Sequence, residues 1–127
     1  MVSIDARRGF VGRIRAYSHG GRRFTGRTAV EYAVEMERMG AGELLLTSID
    51  RDGTGSGFDL ALVEEVVRAV GIPVIACGGA HTVADFAEAV RVGASAVAAG
   101  SMFVFQGRHR AVLVSFPTES ELREGLP

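Results

Sequence analysis

Apolar residues along this 127-residue chain fall into short runs, each followed by a pattern of helical spacing. Residues 44–46 are apolar without interruption, which is typical of a strand buried on both faces of a parallel sheet. A polar, glycine-rich loop follows, and then Asp59, which suits the N-cap of a helix over residues 60–70. In α/β proteins, ligands bind to loops at the carboxyl ends of the strands. This loop is therefore the first candidate for a functional segment.

The unit of strand, polar loop, helix and glycine repeats about every 30 residues. Strands are predicted at residues 2–5, 44–46, 72–77 and 94–99, and helices at residues 28–39, 60–70 and 83–92. Such a repeat indicates a parallel sheet with right-handed crossovers. Periodicity alone leaves two forms open, half of an α/β barrel or a small open sheet. We predict an α/β fold of class (βα)4, half of a TIM barrel with outer helices, as a single domain over residues 1–127.

Two segments stand outside this repeat. Residues 6–26 alternate apolar and polar positions and predict a small exposed hairpin inserted after the first strand. Residues 111–116 are strand-like, and a polar tail follows them. The chain starts almost directly in a strand, so no signal peptide is expected, and the start suggests a chain that begins inside a larger architecture.

Composition excludes several classes of protein. The net charge is -1, so the chain lacks the basic footprint of a nucleic-acid-binding domain. No apolar stretch approaches the ~20 residues that a membrane span needs. The lone Cys77 forms no disulfide within the chain, which favours the cytoplasm. All 14 basic residues are arginine, so no lysine is available as a base or a Schiff-base former.

Asp5 and Asp52 follow two strands at the same edge of the predicted sheet. Two carboxylates at one barrel mouth divide acid and base roles when their environments separate their pKa values. The alternative, that Asp5 only accepts hydrogen bonds from loop amides, is equally compatible with the pattern.

Glycines also end two neighbouring strands, as Gly78-Gly79 and as Gly100-Ser101. Glycine lets backbone N–H groups approach an anion closely, and a following short helix would add its N-terminal dipole. α/β barrels build a phosphate site in this place. Two tight turns without a ligand are the less favoured interpretation.

Other reactive residues have simpler interpretations. Cys77 is best explained as a small buried strand residue. His19, His81 and His109 lack the spacing of metal ligands and are expected on the surface, so no metal site is predicted. The cluster at residues 108–110 is expected to be a solvated charged turn, and Glu43 an ordinary solvated carboxylate.

Four segments together resemble the cyclase subunit of imidazole glycerol phosphate synthase, the HisF family. They are SIDAR near the start, MERMGAGELLLTSIDRDGTGSGFD, IPVIACGGA and GASAVAAGSMF. The resemblance runs to about Phe105 and corresponds to strands five to eight of that family's (βα)8 barrel. It implies a lyase of histidine biosynthesis without a cofactor, which binds a phosphorylated ribonucleotide and receives ammonia from a glutaminase subunit.

The resemblance also implies roles for individual residues. Asp5 matches the second of the family's two catalytic aspartates. Glu43 matches a member of a charged ring at the barrel base where ammonia enters. This match favours a functional role for Glu43 over that of an ordinary solvated carboxylate. The remaining matches surround the substrate's phosphate: Thr47, Asp52, Gly53, Cys77, Gly78, Gly79, Gly100 and Ser101.

Two departures from the family lead to alternatives. The other catalytic aspartate lies in the N-terminal half, which this chain lacks, so the isolated half is expected to be inactive unless it pairs with a second half or with itself. The residues after Phe105 look more like HisF-like proteins of surface-glycan amidation. The alternatives are thus an ammonia-delivering subunit for glycan amidation and a non-catalytic phosphate-binding half-barrel.

Overall fold

A computed structural model describes all residues from Met1 to Pro127 and contains two sheets. The main sheet has six strands in the order β3-β2-β1-β4-β5-β6. Its strands are β1 (Val2–Arg8), β2 (Ile14–Ser18), β3 (Arg23–Thr28), β4 (Leu44–Ser48), β5 (Val74–Cys77) and β6 (Ala96–Ala98). The second sheet is a short hairpin of β7 (Phe105–Gln106) and β8 (Ala111–Val112).

Helices alternate with the strands of the main sheet. They are α1 (Ala29–Arg38), α2 (Leu60–Ala69), α3 (Val83–Arg91), the single turn α4 (Ser101–Val104) and the C-terminal α5 (Glu119–Gly125). Strands β1, β4, β5 and β6 are mutually parallel, and a helix follows each of them directly or after the hairpin. The predicted α/β class and the repeated strand–helix unit are confirmed.

The two faces of the parallel strands differ because side chains alternate across a sheet. One face is covered by the helices and forms the core, whose largest fully buried side chains are Ile4, Leu44, Leu46, Leu62, Val66 and Val74. The opposite face carries no helix, and its side chains are half-buried or exposed. We call it the open face; its residues are Ser3, Asp5, Leu45, Thr47, Ile75, Cys77, Ala96 and Ala98.

The inserted hairpin forms as predicted, but it is not wholly exposed. Strand β1 continues to Arg8 and pairs antiparallel with β2. Ile14 and Ala16 are buried in the same core as α1, so only the other side of the hairpin faces outward. On that outward side the guanidinium of Arg15 lies 5.1 Å from the ring centroid of Phe24.

Capping residues define the helix boundaries. The Thr28 N–H donates to the carboxylate of Glu31 at 2.8 Å, and the Glu31 N–H donates to the Thr28 hydroxyl, which completes a capping box. These hydrogen bonds lower the pKa of Glu31 below its ordinary 4.5. Thr118 and Glu121 repeat the arrangement at α5, and their hydrogen bonds lower the pKa of Glu121.

The C-terminal prediction was wrong in two respects. Only Ala111–Val112 forms a strand within the predicted segment. The next residues run along α4 instead: the Leu113 N–H donates to the Val104 carbonyl, and the Ser115 N–H donates to the Phe103 carbonyl. The polar tail then contains α5, which packs against α3.

Candidate functional site

Three loops at the carboxyl edge of the main sheet meet in a small concave site, which we call the cradle. It is formed by the loop after β4, the end of β5 and the end of β6. The enclosed part is about 20 Å³, room for one water molecule, so an anion would bind at the mouth. The predicted residues that line the cradle are Asp52, Gly53, Cys77, Gly78, Gly79, Gly100 and Ser101.

Several backbone donors of the cradle have no partner. The N–H groups of Gly78, Gly79, Gly100 and Ser101 donate to no acceptor within the protein. Gly78 and Gly79 are buried as well. Because a buried N–H without an acceptor is costly, such groups are normally paired with protein, water or a ligand. These unpaired N–H groups, whose residues line one site, are therefore suited to binding an anion.

The cradle glycines differ in what a side chain would meet. A Cβ at Gly79 would lie 2.2 Å from the carbonyl oxygen of Gly57, and a Cβ at Gly78 would lie 2.8 Å from that of Ser48. Both also have positive φ, +104° and +89°. These two glycines are thus required by packing. At Gly100 a Cβ would meet nothing within 4 Å, so the backbone there is open to an incoming group.

The loop after β4 is held rigidly beside the cradle. The Thr54 hydroxyl donates to the Arg51 carbonyl at 2.6 Å, and the Arg51 guanidinium donates to the Ser56 carbonyl at 2.8 Å. The Gly57 N–H donates to the Gly79 carbonyl at 2.8 Å and ties this loop to the end of β5. These hydrogen bonds fix the loop relative to the end of β5.

Strand β1 fastens the same loop from the other side. The Arg8 N–H donates to the Asp50 carboxylate at 2.8 Å, and the Arg8 guanidinium pairs with Asp59 at 3.1 Å. Asp59 also caps α2 by accepting the Leu62 N–H at 3.2 Å, as predicted. The start of α2 and the end of β1 are thus fixed relative to each other.

Asp5 and the cradle are joined by one row of neighbouring residues on the open face. Strand pairing aligns Asp5 with Thr47, Thr47 with Cys77, and Cys77 with Ala98. At the usual spacing of strands, Asp5 and Cys77 are roughly 10 Å apart. The Asp5 carboxylate accepts no hydrogen bond and forms no ion pair within the chain, so it is not bound to loop amides of this half.

Two expectations drawn from the residue pattern need correction. Cys77 is half-buried on the open face and lines the cradle, as the resemblance implied, whereas the pattern alone favoured a small buried strand residue. The helix after Gly100 is only the single turn α4, so its dipole adds little to anion binding. The unpaired backbone N–H groups are therefore the main donors that the cradle has for an anion.

The basic turn at residues 108–110 is solvated as expected, since all three of its residues are exposed. One contact was not predicted: the Arg110 guanidinium donates to the Gly53 carbonyl at 2.8 Å and lies 4.7 Å from the ring centroid of Phe105. This contact fastens the turn to the loop after β4. Sequence reasoning missed this contact because 57 residues separate its partners.

Glu43 lies at the opposite edge of the sheet. It directly precedes β4, and its carbonyl accepts the Val2 N–H at 3.0 Å. Glu43 is half-buried and lies at the amino edge of the strands, at the opposite end of β4 from the cradle. The structure thus separates the predicted ammonia-entry position from the predicted phosphate positions by the length of β4.

The chain matches the model of one protein family, described as histidine biosynthesis protein, over residues 1–110. The chain belongs to this family. The resemblance to HisF given by the sequence motifs is thereby confirmed at the level of the family.

Two curated relatives carry related names. A putative imidazole glycerol phosphate synthase subunit hisF2 of Pseudomonas aeruginosa is 51% identical over 124 residues, which are 97% of this chain and 49% of the relative. The imidazole glycerol phosphate synthase subunit HisF of Streptomyces coelicolor is 50% identical over 105 residues, 83% of this chain and 42% of the relative. The chain thus spans about half the length of the relatives it matches.

A solved structure of a FabK mutant (M276A) from Thermotoga maritima is 36% identical, with a TM-score of 0.48, over 58% of this chain and 26% of that protein. At this score the likeness supports no further conclusion. None of the helices has the length and apolar character to cross a membrane. No group of three or more histidine, cysteine or acidic side chains is arranged to hold a metal ion.

Proposed function

We propose that this histidine biosynthesis family member forms the C-terminal half of a HisF-type cyclase barrel. The substrate would be a phosphorylated ribonucleotide, which reacts with ammonia to give imidazole glycerol phosphate and an aminoimidazole ribonucleotide. One observation carries the proposal: buried, unpaired N–H groups of Gly78 and Gly79 lie beside a strand row that leads to an unpaired Asp5 carboxylate. This arrangement supports a phosphate site and an acid–base group at one edge of the sheet.

Each residue has a chemical role in this proposal. The N–H groups of Gly78, Gly79, Gly100 and Ser101 would donate to the phosphate oxygens. Asp5 would take up a proton as base and return it as acid during cyclisation, as a positioned carboxylate does in general acid–base catalysis. Thr47 and Cys77 lie in the row between these two regions, Gly53 forms the cradle wall opposite Ser101, and Asp52 would accept hydrogen bonds from substrate hydroxyls.

The proposed site needs a second half-barrel. The open face leaves Asp5 and its row without a covering layer, and the family's other catalytic aspartate belongs to the N-terminal half. We therefore expect the chain to be inactive unless it pairs with the N-terminal half or with itself. The covering half would be that N-terminal half or, in its absence, a second copy of this chain.

Ammonia would enter from the edge opposite the cradle. Glu43 lies at the amino edge of β4, where a glutaminase subunit would dock against the base of the barrel. A cytoplasmic location, expected from the single cysteine, would suit both this partner and the substrate.

A second candidate function is ammonia delivery for the amidation of surface glycans. The specific observation is the extent of the matches. The relative named putative hisF2 matches 97% of this chain, which includes most of the tail, whereas the Streptomyces HisF matches 83%. The tail is also the segment that resembles the glycan-amidation proteins. A non-catalytic phosphate-binding half-barrel is the remaining alternative.

Reconstitution tests the proposal. This chain is combined with the N-terminal half of the Pseudomonas relative, and ammonia-dependent turnover of the ribonucleotide is measured. We expect turnover by the mixture and a loss of at least about 100-fold in Asp5→Asn, since general acid–base catalysis contributes about 10²–10⁴-fold. Glu65→Gln, an exposed carboxylate on α2, is the control that should retain activity.

The outcomes separate the candidates. Equal activity of Asp5→Asn and of the unsubstituted chain would contradict the cyclase proposal. An assembled barrel that binds phosphate but does not turn over the ribonucleotide would favour the glycan-amidation function or the non-catalytic one. Supply of glutaminase-derived ammonia to a sugar-modifying amidotransferase would then distinguish these two.

A further inference from the structure

A second, larger cavity lies next to the cradle. Its volume is about 560 Å³, within the range of roughly 300–1,000 Å³ that is usual for small-molecule sites. The β7–β8 hairpin forms one wall, and the loops after β4 and β5 form the others. Gly53, Ala80 and Ser101 line both this cavity and the cradle, so the two spaces are adjacent. We call the larger space the arginine pocket.

The lining of the arginine pocket is polar and basic. Arg108, Arg110 and His81 all line it, and no aspartate or glutamate does. Only three of its lining residues are hydrophobic, which distinguishes it from the apolar pockets that most drug-like ligands occupy. Its chemistry therefore suits a polar group of negative charge.

The basic groups of the pocket retain free donors. Arg110 uses one N–H group on the Gly53 carbonyl, and its guanidinium lies over the Phe105 ring, 4.7 Å from the centroid. A guanidinium has five N–H donors, so most of those of Arg110 stay free for a ligand. The side chain of Arg108 forms no hydrogen bond or ion pair within the chain. Two guanidinium groups with free donors thus line one pocket, and such donors suit the binding of phosphate by arginine.

We propose that the arginine pocket is a second anion-binding site, which takes a phosphate group carried by a ligand at the same edge of the sheet. The site is separate from the cradle and would discriminate among ligands by a second charged group. The proposal adds a substrate feature to the proposed function, but the pocket's own binding does not require the cradle to be occupied.

Inorganic phosphate is the probe, added at constant ionic strength while backbone amide NMR shifts are followed. We expect two groups of shifts with separate saturation, one at Gly78, Gly79 and Gly100, and the other at Gly55 and Gly107. Arg108→Gln should weaken the second group by about tenfold, the usual effect of losing a hydrogen bond to a charged partner, and leave the first unchanged. Arg22→Gln, an exposed arginine in the β2–β3 turn, should change neither group.

Each result has a distinct meaning. Absent shifts at Gly55 and Gly107, or shifts that are the same in Arg108→Gln, would overturn the second site. Absent shifts at the cradle glycines alone would count against the proposed function and leave the second site standing. A parallel titration with acetate distinguishes the ligand group: the proposal requires phosphate to bind the pocket more tightly, and equal or tighter acetate binding would overturn the assignment to phosphate.

Discussion

Glycines of the cradle fall into two kinds, although they look the same in the sequence. Gly78 and Gly79 have positive φ and backbone oxygens in the place of a Cβ. Gly100 has φ −131° and free space around its Cα. The first kind is needed for folding and the second only for access. This difference makes the structural and the binding contributions of the cradle separable by substitution.

Gly79→Ala should destabilise the fold, because its Cβ would overlap the Gly57 carbonyl and its φ disfavours an L side chain. We expect a loss of about 2–4 kcal/mol in the free energy of unfolding, measured by urea denaturation. Gly100→Ala should change that free energy by less than about 1 kcal/mol and yet weaken phosphate binding at the cradle. A Gly100→Ala variant that binds phosphate normally would show that the anion does not approach this backbone.

The roles that residues play toward their sequence neighbours could be predicted from the sequence. The capping role of Asp59 was predicted because an N-cap bonds to a residue three positions later. The contact between Arg110 and Gly53 was not, since no local pattern encodes a hydrogen bond across 57 residues. The same holds for the position of Cys77, because its burial depends on which face of β5 the helices cover.

Among the elements, the parallel strands were predictable because each is a short apolar run. Their helices were predictable because each has apolar residues at helical spacing and a capping residue. The tail was not, because α5 has few apolar residues and only its capping box marks it. Thr118 and Glu121 have the spacing of that motif, so attention to it would have identified the helix. Residues 113–116 looked like a strand, but α4 provides their hydrogen-bond partners instead.

The capping boxes predict a dependence of stability on pH. The pKa of Glu31 is lowered in the folded chain, so the unfolded chain takes up the proton more readily. The stabilisation is complete above the ordinary value of 4.5 and is lost as the pH falls below it, through the folded pKa. The midpoint temperatures of thermal unfolding of the unsubstituted chain and of Glu31→Gln should therefore differ at pH 7 and become equal near pH 3. An unchanged difference at both pH values would contradict this.

Asp59→Ala tests the junction between β1 and α2. The substitution removes the cap of α2 and the partner of Arg8 together, and we expect a loss of about 1–2 kcal/mol in the free energy of unfolding. Arg8→Met removes the ion pair alone and should cost less, because exposed pairs contribute about 0–1 kcal/mol. Denaturation midpoints compare the two variants, and an equal loss in Arg8→Met would assign the stability of the junction to the ion pair and not to the cap.

At the scale of the whole molecule, the parallel sheet has a helix layer on one side only. The open face exposes part of Leu45 and Ile75 together with the row that contains Asp5. Strand β6 also leaves an unpaired edge. A half-covered sheet with a free edge tends to associate with another chain. The strand repeat predicted this incompleteness, because four parallel strands are half of those that close a barrel.

Association of two chains through the open face should depend on the apolar residues of that face. Ile75→Asp places a charge in the middle of that face and should prevent pairing, whereas Glu88→Gln on the outer surface of α3 should not. Size-exclusion chromatography at matched concentrations compares the two variants. Pairing that survives Ile75→Asp would place the interface elsewhere on the chain.

Molar mass in solution, measured by light scattering with and without phosphate, tests whether this chain is one half of an eight-stranded barrel. We expect a particle of twice the 13.4 kDa chain mass when the chain is alone, because a second copy covers the open face. The addition of the N-terminal half of the Pseudomonas relative should replace it with a one-to-one complex. A chain that stays a stable monomer, both alone and after addition of the N-terminal half, would contradict a half-barrel.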